Sequence, residues 1–129
     1  MALISLQILI GIFFSILFLQ SGLDKVFNFK GNKEYIDSVF EKTFLKGTSF
    51  MLFIAITLME VAAGLLSAGG SFYYAFAGNH SCLLLGLQFS ALSLLCLFFG
   101  QRIAKDYAGA GGLVAYFLVA VFGIYLFTV

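Results

Sequence analysis

The sequence predicts an all-α integral membrane protein, a four-helix bundle with a short cytoplasmic amphipathic helix between its first and second spans. Three observations carry this. Hydrophobic residues fill 62% of the 129 positions and charged residues only 10%, against about 25% charged in an ordinary soluble domain. The charges are also confined, with none in 1–23, 47–59, 61–101 or 107–129. Finally, all seven Lys and Arg fall in two connecting segments. A bilayer core ~30 Å thick takes about 20 helical residues, so the charge-free stretches hold four spans. They are continuous apolar runs, whereas the strands of a membrane barrel alternate over short segments.

Taken in order, span one is expected at 2–23. This run is too long for the apolar core of a signal peptide and lacks a basic leader, so it reads as a retained span. The connector that follows carries Lys25, Lys30, Lys33, Lys42 and Lys46 beside Asp24, Glu34, Asp37 and Glu41. From Asn32 to Lys46, Ile36, Val39, Phe40 and Phe44 repeat at helical spacing, with Tyr35 beside them and the charges on the other face. That pattern predicts an amphipathic helix in the membrane interface, its apolar face turned to lipid or to a partner subunit. Span two is expected at 47–66, a second connector at 67–78, span three at 79–99 and span four at 112–128. The whole chain, 1–129, reads as a single domain.

Orientation follows from the lysines and arginines. Arg102 and Lys105 lie between spans three and four, and the second connector has no basic residue. The positive-inside rule places the first and third connectors in the cytoplasm and both termini outside. The expected location is a bacterial inner membrane. A net charge of +1 argues against nucleic acid as a partner, and the mixed signs in the first connector argue against a polybasic lipid clamp.

Spans in lipid need small residues in order to pack. Gln7, Gly11, Ser15 and Gly22 share one face of the first, and Gly86, Ser90, Ser93 and Gly100 one face of the third. Glu60, Gly64 and Ala68 step along the second, and Ala108–Gly109–Ala110–Gly111–Gly112 opens the fourth. These stripes suit close packing, or else a ligand cleft.

Glu60 is the only charged side chain within a span. Counted from residue 47 it lies ~20 Å deep, nearer the outer surface. Burying it costs about 3 kcal/mol, so it is expected to face the bundle and find a partner. Gln88 and Gln7 stand at similar expected depths and supply candidate amide partners. Glu60, Gln88 and Gln7 thus form the candidate intramembrane polar site, either an interhelical clamp or a proton-relay or quinone-headgroup site.

Other chemistry is poorly supported. Cys82 and Cys96 are on one helix, about 21 Å apart along its axis, and a disulfide needs Cα atoms within about 7 Å. There is no C-x-x-C motif, and His80 is the single histidine, so neither thiol–disulfide catalysis, bis-histidine haem ligation nor a metal site is expected. No P-loop, nucleophile elbow or dinucleotide fingerprint is present. No cofactor and no catalytic residue is predicted.

The first span closes on Gln20-Ser21-Gly22-Leu23-Asp24-Lys25-Val26, and the second carries Glu60-Val61-Ala62-Ala63-Gly64-Leu65. These segments resemble the G-x-x-K and E-x-x-x-G motifs of the DoxX-like membrane proteins, and the order of span, amphipathic segment and three further spans is similar. The matching positions are Gly22, Lys25, Glu60 and Gly64. The resemblance implies a four-helix bundle in a family where some members are small subunits of quinone-linked sulfur oxidoreductases and others accompany larger membrane assemblies. The expected role is therefore a small accessory subunit of a larger membrane complex, respiratory or otherwise quinone-linked, and not catalytic on its own. The alternative is a quinone-interacting subunit of a membrane oxidoreductase with Glu60 at the site. Lipid, other membrane subunits and a quinone are the expected partners, with the phenylalanine-rich surfaces around Phe13–Phe14 and Phe117–Phe122 as contact faces.

Overall fold

A computed structural model describes residues 2–41, 47 and 49–128, with side chains from Leu6 onward except those of Val39 and Ser49. The described residues form five helices: α1 (Ala2–Phe27), α2 (Phe29–Phe40), α3 (Ser49–Ala77), α4 (Ser81–Ile103) and α5 (Tyr107–Leu126). Four of them, α1, α3, α4 and α5, are long and apolar enough to cross a membrane. The protein is an integral membrane helical bundle.

Helix α3 packs between α1 and α4, α5 docks chiefly on α4, and a lesser contact of α5 with α1 closes the ring. The core is Phe14, Phe18, Ala63, Leu83, Leu87, Leu94 and Ala120. Where helices cross, glycines remove the side chain that would hold them apart. A Cβ on Gly86 would lie 2.7 Å from the Ser67 backbone nitrogen, and one on Gly70 would lie 2.5 Å from Leu83 Cα. The expected stripe on α4 is buried at Gly86, Ser90 and Ser93. Gly111 and Gly112 of α5 face open space instead, and only Ala110 of that cluster is buried.

The ends of the helices differ from expectation in three places. Residues 67–77, expected as a connector, continue α3. No proline interrupts them, and the helix stops only at Gly78, which adopts φ +75° and donates its N–H to the Tyr74 carbonyl at 3.0 Å, a left-handed cap. Helix α5 starts at Tyr107 rather than 112, because the Asp106 carboxylate accepts a hydrogen bond from the Gly109 N–H at 3.1 Å and caps the first turn. Helix α4 ends at Ile103, and in the turn after it Lys105 takes φ 63° while Asp106 N–H reaches back to the Gln101 carbonyl at 2.8 Å.

The amphipathic helix α2 also begins earlier than expected, at Phe29. Its apolar side rests on the bundle. Phe29 meets Phe50 and Phe53 with ring centroids 6.0 and 5.1 Å apart, and the buried Phe40 ring approaches Gly100. Lys33 pairs with Asp37 at 2.9 Å, one turn along the same face. Lys42, Phe44 and Lys46 lie outside the described residues. Phe14 is fully buried and Phe117 packs against the core, so of the expected contact faces Phe13 and Phe122 remain exposed.

Candidate functional site

The described ionic residues lie at one end of the bundle. They occupy the last turn of α1, helix α2, the α4–α5 turn and, deeper, Glu60 of α3. Because α3 runs to Ala77, Glu60 stands ~17 Å from its Ser49 end and ~26 Å from the other. It belongs to the lysine-bearing half, which corrects the expected depth.

Glu60 is 1% exposed, and its partners come from α1. The Ser21 hydroxyl donates to Glu60 Oε2 and accepts from Lys25 Nζ at 2.9 Å. Lys25 Nζ also lies 3.0 Å from Glu60 Oε1. At that distance the ammonium and Oε1 form an ion pair, and among the described residues no hydroxyl or amide donates to that oxygen. Ser21 and Lys25 are four residues apart and share one face of α1. The Lys25 side chain, 16% exposed, belongs to the last turns of α1, where a long basic chain can keep its head near water.

Two glycines make the approach possible. A Cβ on Gly22 would lie 2.7 Å from Val61 Cγ2 and 3.2 Å from its backbone nitrogen, and one on Gly64 would lie 2.9 Å from the Leu19 nitrogen. The four positions Gly22, Lys25, Glu60 and Gly64, separated by up to 42 residues in sequence, therefore meet at the crossing of α1 and α3. The glycines set the backbone distance, and the charged residues fill the place where the helices touch.

The expected amide partners are elsewhere. Gln7, 4% exposed, lies at the opposite end, where its Nε2 donates to the Leu126 carbonyl at 3.2 Å and its Oε1 accepts from the Tyr74 hydroxyl at 2.8 Å. Gln88 is exposed on the outer side of α4. An amide clamp on Glu60 is thus replaced by a hydroxyl and an ammonium, because the packing turns Gln88 away and Gln7 lies about four helical turns from Ser21 along α1.

Ser21 and Tyr74 carry roles that the sequence reading did not give them. Ser21 was legible as the residue one turn before Lys25. Tyr74 was hidden by the reading of 67–78 as a connector. His80, exposed, stacks on Phe127 with centroids 4.9 Å apart. Cys82 and Cys96 are free thiols. Among the described residues no group of three or more His, Cys, Asp or Glu gathers as a metal site would require.

Chemically, the cluster is a buried carboxylate whose Oε1 faces the Lys25 ammonium and whose Oε2 accepts from the Ser21 hydroxyl. Such a pair can lock two helices together, or exchange hydrogen bonds with a small oxygen-bearing headgroup. No family model, curated protein or solved structure matches this chain.

Proposed function

We propose that the chain is a DoxX-like accessory subunit of a larger membrane complex, respiratory or otherwise quinone-linked, in which Ser21, Lys25 and Glu60 form an interhelical clamp. One observation carries this reading. Glu60, the carboxylate in the middle of α3, is 1% exposed and is already engaged by two side chains of the neighbouring helix. Removing either member of such a buried pair leaves the other charge uncompensated, so the pair ties α1 to α3. The α3–α4 and α4–α5 connections are three residues each, and the exposed Phe122 and Leu118 of α5 offer an apolar face to a neighbouring subunit.

The distribution of lysines supports an orientation with α2 and the α4–α5 turn in the cytoplasm and both termini outside, in a bacterial inner membrane. A reporter that works only in the cytoplasm, fused to the C-terminus, is expected to stay silent. Strong signal from it would reverse the orientation.

A second reading is favoured by the Glu60 oxygen that meets the Lys25 ammonium and no hydroxyl or amide. In that reading a quinol hydroxyl donates to Oε1 and accepts from the Lys25 ammonium, and the subunit contributes to a quinone site. Glu60→Gln separates the two. For a clamp, the amide retains assembly and quinone-linked turnover, whereas Glu60→Leu loosens packing. A complex that assembles fully with Glu60→Gln but loses turnover would sink the clamp. Gentle solubilisation of the native membrane followed by mass spectrometry is expected to recover partner subunits with the chain, and recovery of the chain alone would remove the accessory role.

A further inference from the structure

Gln88 is a polar side chain in a place that lipid does not suit. It is exposed on α4, seven residues after Ser81 and hence ~10 Å inside the span, and among the described residues nothing hydrogen-bonds its amide. The other exposed amide on a spanning helix, Gln20, lies one turn from the charged Asp24 at the lysine-bearing end. Gln88 has no charged residue within seven positions on either side. An amide left unpartnered in hydrocarbon is costly, so the outer face of α4 calls for something that hydrogen-bonds.

The residues around Gln88 describe what that is. Within the span, Leu85, Gln88, Leu92, Leu95 and Phe99 of α4 are exposed at alternating steps of three and four, with Ser81 exposed at the N-terminal end of the series and Cys96 exposed beside it. This is the seam of a left-handed helix pair, with one polar residue among apolar ones, the arrangement that sets register and partner number. The primary amide both donates and accepts, so it complements a second copy of itself across a two-fold axis. In a parallel pair each apolar seam residue likewise meets its own copy. Arg102, the next position in the series, is drawn off the seam by its own chain, stacking at 4.4 Å over the Tyr107 ring. The exposed side of α5 has no amide or charged side chain between Tyr107 and Leu126 and so lacks any such signal.

We propose that the outer face of α4 is the contact between two copies of this chain, parallel about an axis along the membrane normal, with the two Gln88 amides hydrogen-bonded to each other. The site is independent of the Glu60 cluster on α1 and α3, and it leaves α5 free for another subunit.

The test uses the full chain in membranes, with Cys82→Ser and Cys96→Ser as background. Leu85→Cys or Leu92→Cys, under mild oxidation, is expected to give a disulfide-linked species of twice the 14.1 kDa chain mass, while Leu118→Cys on α5 gives little. Adding Gln88→Leu, which places an apolar residue at a lipid-compatible position, should lower the cross-linked fraction, with dimer affinity falling roughly three- to tenfold. Gln88→Asn should keep most of it. The proposal is overturned if the seam positions give no dimer, if Leu118→Cys cross-links as well as they do, if they link only to a protein of different mass, or if Gln88→Leu dimerises as well as its parent.

Discussion

The two ends of the bundle bury polar side chains in opposite ways. At the lysine-bearing end, Glu60 is held by Ser21 and Lys25, an ionic cluster with one member reaching toward water. At the other end, Gln7 joins the Tyr74 hydroxyl to the Leu126 carbonyl, a neutral network that ties the beginning of α1 to the ends of α3 and α5. Both connect helices distant in sequence. The ionic cluster carries the larger desolvation cost and depends on its counter-charge, whereas the amide network satisfies a helix-terminal carbonyl that lipid would leave bare. Charge is confined to the end where a lysine can bring it, and neutrality serves where no cation is at hand.

The largest effect expected from breaking this asymmetry is at Lys25. Lys25→Met leaves a buried carboxylate without its cation and should cost about 3–5 kcal/mol of stability, read by denaturant titration in mild detergent. Combining it with Glu60→Met should recover most of that loss, since a well-packed apolar pair replaces a buried ionic one at little cost. A double variant no more stable than Lys25→Met alone would show that the two residues are not coupled.

The crossing that brings the cluster together comes next. Gly22→Leu forces a side chain into Val61 and should destabilise by about 1–3 kcal/mol, while the same change at Gly112, which faces open space, should be nearly silent in the same titration. At the neutral end, Gln7→Leu removes two hydrogen bonds and should cost about 1–2 kcal/mol, less than the lysine variant. An equal or larger loss would mean that the amide network, not the ion pair, is the main tie between helices.

The smallest effect is a gain. Lys105 holds φ 63° in the turn after α4, a conformation that costs an L-residue about 1 kcal/mol. Lys105→Gly should raise the melting temperature slightly and leave the Glu60 cluster untouched. A drop would show that the lysine makes contacts worth more than its backbone strain.

The one-dimensional features of this protein were legible without coordinates. Apolar runs count residues against bilayer thickness, so four spans and an intervening amphipathic helix were readable, as was Glu60 as the residue out of place. Helix ends were less so. Nothing between Ser67 and Ala77 forbids a helix or demands one, and α3 continues there because Gly70 and Ser67 pack against α4. The partners of Glu60 depended on something no spacing encodes, the rotation of each helix about its own axis. Depth alone made Gln7 and Gln88 reasonable partners, yet close contact at Gly22, Gly64 and Gly86 turns Ser21 and Lys25 inward and Gln88 outward. Hydropathy sets which segments enter the bilayer because transfer from water is nearly additive along a chain. Which faces meet inside is decided by interlocking shapes and by hydrogen bonds between residues far apart in sequence, and these exist only once the helices have packed.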